Sequence, residues 1–336
     1  SWSSMVESII LIGVGILAAL VFDFGNGFND AANSISTVIA TRVLTLRQAV
    51  LLAALANFVA AFVFGVAVAN TIGKGIIDPT IVTPLLVISG LIGSIFWVYT
   101  TTWAGLPISA SHALIGGLIG AGVSAAGIGI LNVNGVLTVL AFIFVAPLVG
   151  LLGAVIASIV LLWIARKQNP ALVNSWFKKL QLVSVSVYSL GHGTNDAQKT
   201  MGVITLGLIS GGFIPASPFH VPLWVIVLSA LAMALGTAAG GWRIIRTMGS
   251  RLTKLTPIHG FGAETTAAAI IETASRFGFP LSTTHVISST ILGVGASRRF
   301  KAVRWNIAGR IFQAWILTIP VCAVIAFLVY YIVRAI

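Results

Sequence analysis

Long apolar runs, each broken by a short polar or glycine-rich cluster, follow one another along the whole chain. The first, VESIILIGVGILAALVF, is long enough to span a bilayer and leads directly into GNGFNDAANS at residues 25–34. The pattern predicts a segment from about residue 5 that breaks at 23–33 and ends at Arg42, then a span over roughly 49–69. A third run, 81–101, ends in YTTTW and is followed by PISASH at 107–112 and the glycine-rich GGLIGAG. A helix over about 136–165, kinked at Pro147, closes the first half. The second half starts after Lys179, breaks at GHGTND, spans 222–241, turns into GFGAETTAAA and PLSTTH at 280–285, and ends in a helix over about 305–333. At about 20 residues per span, the length allows about 10–12 transmembrane segments. The runs are too continuous for the weak alternation of an outer-membrane barrel, so the fold class is an all-α polytopic membrane protein.

The halves repeat. Gly25, Gly27, Asn29, Asp30 and Ala31 return as Gly191, Gly193, Asn195, Asp196 and Ala197, while PISASH and PLSTTH agree at Pro, Ser and His. The two offsets, 166 and 173 residues, are nearly equal, which chance does not produce in two motif pairs of the same order. Basic residues cluster in four short loops: Arg42 and Arg47; Arg166, Lys167, Lys178 and Lys179; Arg243, Arg246, Arg251 and Lys254; and Arg298, Arg299, Lys301 and Arg304. The intervening loops, around 70–80, 123–135 and 208–221, carry only Lys74, Asp78 and a histidine, so the basic loops are expected inside. The same bias orients the two halves oppositely. It predicts two inverted-topology repeats with broken helices and re-entrant half-helix hairpins: 1–165, a basic cytoplasmic linker at 166–180, and 181–336, with both termini outside.

Composition agrees. Of 336 residues 58% are hydrophobic and 8% charged, with a mean hydropathy of +1.06, against about a quarter charged in a soluble domain. The net charge of +12 does not indicate nucleic acid, because its carriers sit in membrane-flanking loops. The lone Cys322 cannot form an intrachain disulfide, and the first run, lacking a basic leader and a cleavage site, reads as a mature helix. A multi-pass protein of the cell (inner) membrane is expected, with the lipid bilayer as its partner.

Asp23, Asp30, Asp196 and Glu264 lie at membrane depth, where a charge persists only beside a partner or a polar cavity. Asn, Asp and freed carbonyls are hard oxygen ligands suited to an alkali cation; the structural alternative for either aspartate alone is a helix cap, and for Glu264 an interhelical hydrogen bond. Asp23 has no acidic counterpart, since Ser189 stands at the matching position. The P-x-S elements look like half-helix starts, with proline in the first turn. Their Ser109, Ser111, Ser282, Thr283 and Thr284 would either cap free amides or turn to a ligand, and two such N-termini meeting at mid-membrane would favour an oxyanion. His112 and His285 could carry protons or simply satisfy neighbouring carbonyls. No HExxH, GxSxG, Walker motif or cysteine cluster points to an enzyme or a zinc site, and without a nucleotide-binding segment transport would draw on an ion gradient.

GNGFNDAANS, GHGTNDAQKT, LPISASH, FPLSTTH and GFGAETTAAA together resemble the inorganic phosphate transporter (PiT) family over essentially the whole chain. The resemblance implies symport of phosphate with Na+ or H+ by alternating access, in a homodimer, with no cofactor. It implies cation and phosphate contacts on Asn26, Asn29, Asp30, Asn195, Asp196 and Glu264 and on Ser109, Ser111, Ser282, Thr283 and Thr284; phosphate is expected on those hydroxyls with Thr194 and Asn195, and Na+ on the carboxylates and amides, Asn195 included, with Asp23. The first motif departs from the family's GAND pattern, and no acidic residue in the first half matches Glu264. Some proton-coupled bacterial members carry His where Asn29 stands; an Asn cannot relay a proton, whereas its oxygen can coordinate Na+, which favours sodium. The alternatives are a proton-coupled phosphate, metal-phosphate or sulfate transporter, a channel, and an intramembrane hydrolase using Asp30 and Asp196.

Overall fold

A computed structural model describes residues 2–63, 69, 75–78, 80–279 and 281–335. Lys74, the end of the second predicted span and Pro280 lie outside these. The described helices are α1 (Trp2–Ala40), α2 (Leu46–Val63), α3 (Pro84–Ala104), α4 (Ala110–Ala126), α5 (Val133–Ala165), α6 (Pro170–Ser210), α7 (Leu223–Ala239), α8 (Trp242–Arg246), α9 (Pro257–Arg276), α10 (Thr283–Arg298) and α11 (Trp305–Ala335). No strand occurs among the described residues, only an isolated bridge between Ile77 and Leu131. Five helices, α1 from Val6, α2, α3, α5 and α11, are long and apolar enough to cross a membrane, and α7 joined to the segment 242–251 makes a sixth. Their outward faces carry large apolar residues such as Leu17, Leu55, Leu148 and Ile156, as contact with lipid requires.

Three expectations about local structure are corrected. The chain was expected to break at both glycine motifs, yet α1 runs helical through residues 25–34 and α6 through 191–200. The broken span lies instead at Gly240 and Gly241, where α7 and the basic segment after it meet at 60°. That segment is itself helical rather than a loop, as are residues 170–180, which form the first turns of α6. The half-helix starts are present, but proline is not in the first turn. Ser109 and Ser282 are the N-caps, accepting from the amides of His112 at 3.1 Å and His285 at 3.2 Å. Pro107 precedes the cap, and its carbonyl accepts from the Trp315 indole at 3.0 Å.

The packing maps onto itself when the halves are exchanged. α1 packs on α7 as α6 does on α2; α4 packs on α11 as α10 does on α5; and α1 meets α3 as α6 meets α9. The ends of the α3–α4 hairpin come together, because the Asp78 amide donates to Ile130 and the Asn132 amide to Ile76, each at 3.0 Å. This agrees with a chain that enters and returns on one side.

Glycines in the motifs serve close packing rather than breakage. A Cβ on Gly27 would collide with the backbone of α7 at Met233, and one on the matching Gly193 would lie 2.5 Å from Asn57 Cα on α2. The bare backbone therefore seats a second helix directly against each motif, the small-residue device of membrane bundles. Two hydrophobic cores result, one including Phe22, Leu91, Leu114 and Ile204 and the other Ile35, Tyr188, Ile271 and Ile287, with the polar motif residues between them. Gly27→Val and Gly193→Val are each expected to destabilise the protein by about 1–3 kcal/mol, the range typical of overpacking, read as a lower melting temperature in detergent. Gly13→Ala, where nothing lies within 4 Å, should leave it unchanged; equal melting of all three would remove the close-packing role.

Candidate functional site

Between the two cores, α1 and α6 cross the N-termini of α4 and α10. Asp30 on α1 and Asp196 on α6 face each other across a shared set of donors and are buried. Thr283 Oγ1 lies 3.4 Å from Asp30 and 3.2 Å from Asp196, while His192 Nε2 lies 3.6 Å and 3.2 Å from the same two carboxylates. The Thr284 hydroxyl donates to Asp30 at 3.1 Å and accepts from the Asn33 amide at 2.9 Å. Asn29 sits 2.7 Å from the Thr102 hydroxyl; with its oxygen on that side, its NH2 reaches Asp30 at 3.1 Å.

Lys199, on α6, is 1% exposed. Its ammonium reaches Asp196 at 2.5 Å, Ser111 at 2.5 Å and the Leu281 carbonyl at 3.3 Å, one acceptor for each proton. The contact has a mirror in the other half. Lys199 matches Asn33 by the 166-residue offset and Ser111 matches Thr284 by 173, so Lys199 to Ser111 repeats Asn33 to Thr284 with a cation in place of an amide.

Glu264 stands in a second cluster. It accepts from Thr37 at 2.6 Å, from Gln181 at 2.9 Å and from Ser184, and Gln181 in turn accepts from Thr41 at 2.9 Å. Thr37 lies seven residues beyond Asp30 on α1, or about 10 Å along the axis, and on α6 the buried Tyr188 is one turn from Ser184 of this cluster and one turn from His192 of the other. His112 and His285 pack edge to face at 4.8 Å, and His285 stacks on Trp315 at 4.0 Å. None of their ring nitrogens has a hydrogen-bond partner among the described residues, so neither satisfies a carbonyl.

Of the residues singled out in the sequence, Asp30, Asp196, Ser111, Thr283 and Thr284 converge directly, with Asn29 beside them. Asn26 and Asp23 are buried one and two turns back from Asp30 on α1. Ser109 and Ser282 use their side chains as caps. Thr194 turns away, donating to Leu190 at 2.8 Å, and Asn195 donates to Ser275 at 3.0 Å. Sequence reasoning missed His192 and Lys199. Both stood in the quoted motif, and the signal was available: Lys199 lies outside every basic loop, in the middle of a motif assigned to membrane depth.

A multi-pass helical bundle enclosing a charged polar centre, with donors and acceptors drawn from both halves of the chain, has the build of a membrane transporter for small ions. Comparison with known proteins makes this particular: the chain belongs to the phosphate transporter family, whose model matches residues 26–326. It is 49% identical to a probable low-affinity inorganic phosphate transporter of Rhizobium meliloti, over 96% of each chain, and 42% identical to one of Bacillus subtilis, over 98% of each. A solved structure, the sodium-dependent phosphate transporter, superposes with a TM-score of 0.86 at 26% identity, covering 97% of this chain and 100% of the other. These are transporters and not enzymes, which sets aside the hydrolase alternative.

Removing Lys199 leaves Asp196 buried without its cation. Lys199→Ala should therefore cost about 3–5 kcal/mol, read as a fall in melting temperature in detergent, and Asp196→Asn added to it should recover part of the loss. Independent, additive effects of the two substitutions would show that the pair contributes no coupling.

Proposed function

We propose that this protein is a symporter of inorganic phosphate driven by a Na+ gradient, working by alternating access between two inverted repeats. One observation carries the reading: the hydroxyls of Thr283 and Thr284, at the N-terminus of a half-helix, are held by the buried carboxylates Asp30 and Asp196. Each hydroxyl has one proton, so while it donates to a carboxylate it cannot donate to phosphate. A cation that takes over the carboxylate oxygens frees those protons. Cation binding thereby prepares the anion site, and the two cargoes are coupled by the ownership of two protons.

The acceptor set suits a hard cation. Both oxygens of Asp23 and the amide oxygens of Asn26, Asn33 and Asn195 are buried with no hydrogen-bond partner among the described residues. Phosphate would then be held by Thr283 and Thr284, by Ser111 and Lys199, and by the amide ends of α4 and α10, with Ser109 and Ser282 shaping those ends. Lys199 makes the halves unequal: it is a fixed positive charge on the Asp196 side, so the exchangeable cation belongs to the Asp30 side. The symmetric helix packing supports the repeats, and the clustering of basic residues supports basic loops in the cytoplasm of the inner membrane with both termini outside. The family resemblance supports a homodimer and phosphate as the anion, with sulfate the rival that competition for uptake separates.

A second reading, proton coupling, is favoured by His192. Asn57 donates to Thr237 at 2.9 Å, leaving its oxygen to face His192 Nδ1 at 3.5 Å. With the proton on Nδ1, Nε2 points a lone pair at two carboxylates unless a proton or a cation sits there, and ligand atoms of Asp30, His192 and Asp196 lie within 4.8 Å of one another.

Proteoliposomes separate the two readings. Labelled phosphate should accumulate under an inward Na+ gradient at equal pH and not under a pH gradient without Na+; the reverse result transfers the coupling to protons, and ohmic current without accumulation makes the protein a channel. Asp196→Asn should abolish uptake while the protein still elutes as a folded species, and a fully active variant removes Asp196 from the site.

A further inference from the structure

Outside the central site, the basic end of the bundle holds a cavity of about 470 Å³. Four arginines line it, Arg243, Arg246 and Arg251 on the segment after α7 and Arg310 on α11, and no acidic residue does. None of the four is within 4.0 Å of a carboxylate among the described residues; the arginine that has such a partner is Arg276, with Glu272. Four like charges facing one concavity repel each other unless an anion enters it, and planar guanidinium forks match the oxygens of a phosphate group.

The cavity is also built into the loop before α4. Its floor includes Gly105 and Leu106. The Thr247 hydroxyl donates to the Gly105 carbonyl at 3.1 Å, and Arg243 donates to the Trp103 carbonyl at 2.5 Å with its guanidinium 5.0 Å above the Trp103 ring. Gly105 holds a left-handed conformation, φ 73°, and a Cβ there would press on Arg243 at 3.1 Å. One wall of arginines is thus fixed by the chain that continues, four residues on, into the Ser109 cap. A neighbouring cleft of about 390 Å³ with Lys254, Arg298, Arg299, Lys301 and Arg304 carries comparable charge but borders no part of this loop.

We propose that the arginine cavity is a second oxyanion site, separate from the central one, that binds the phosphate group of inorganic phosphate or of a lipid headgroup against the loop leading to α4. The inference requires the charge and shape of the cavity, and it does not depend on the coupling ion or on the central site carrying phosphate.

Equilibrium binding of labelled inorganic phosphate to the full chain in detergent, at fixed ionic strength, is the test. Arg246→Gln/Arg310→Gln should hold one phosphate per chain fewer than the native protein, and Arg299→Gln/Lys301→Gln the same number as it, with affinity at the arginine site weakened at least about tenfold by removal of charged hydrogen bonds. Nanodiscs of phosphatidylcholine with and without phosphatidic acid separate the sources. If the second site belongs to a headgroup, phosphatidic acid is retained by the native chain in native mass spectrometry, is lost from Arg246→Gln/Arg310→Gln, and excludes the second phosphate. Identical phosphate and phosphatidic acid binding by the native chain and Arg246→Gln/Arg310→Gln overturns the proposal, as does displacement of phosphate by chloride at equal ionic strength. Uptake in proteoliposomes is scored separately: transport with no difference in binding sinks this inference alone, and a binding difference without transport sinks the central reading alone.

Discussion

Two carboxylates buried face to face between two hydrophobic cores are the constraint that the rest of the bundle answers. With ligand atoms of Asp30 and Asp196 within 4.8 Å of each other, their repulsion at an effective dielectric of about 20 is about 3–4 kcal/mol, before the cost of removing either from water. The chain offsets this from three directions. Hydroxyls come from the start of α10, an imidazole from one turn before Asp196, and an ammonium from three residues after it. The hydroxyls reach that point because α10 begins there, and the Ser282 cap fixes where it begins.

That convergence depends on helices approaching more closely than ordinary side chains permit. Gly27 and Gly193 bring α7 and α2 against the two motif helices, and the Asn57 to Thr237 hydrogen bond ties those outer helices to each other behind the site. Gly27 and Asp30, like Gly193 and Asp196, are three residues apart and so are neighbours on one side of their helix. The same side admits a close helix and, one turn on, presents charge to the centre.

Much of this was legible in the sequence, for identifiable reasons. Long apolar runs fixed the helices, the two motif pairs fixed the correspondence of the halves, and four carboxylates in an apolar setting marked the centre. The expected helix breaks failed because glycine next to asparagine is a turn signal in water, whereas in lipid an open backbone has no solvent to receive it and the helix continues. Thr194 was placed with the centre by motif membership and Glu264 by its depth in the membrane; only the packed helices show that Thr194 donates to its own helix backbone and that Glu264 has its own ring of donors. Lys199 was hidden among 19 basic residues whose count served to orient the loops, although its place in the motif set it apart.

The replacement of Asn33 by Lys199 across the halves has an electrical consequence. In the proposed cycle the empty site must be re-exposed from one side to the other, so whatever net charge it carries moves through the membrane potential. A displaced elementary charge is worth about 2.3 kcal/mol per 100 mV. With an asparagine in both halves, Asp30 and Asp196 would return as two negative charges; with Lys199 held against Asp196, the pair returns as one. In that cycle the tethered ammonium halves the charge on which the membrane voltage acts as the unloaded site returns.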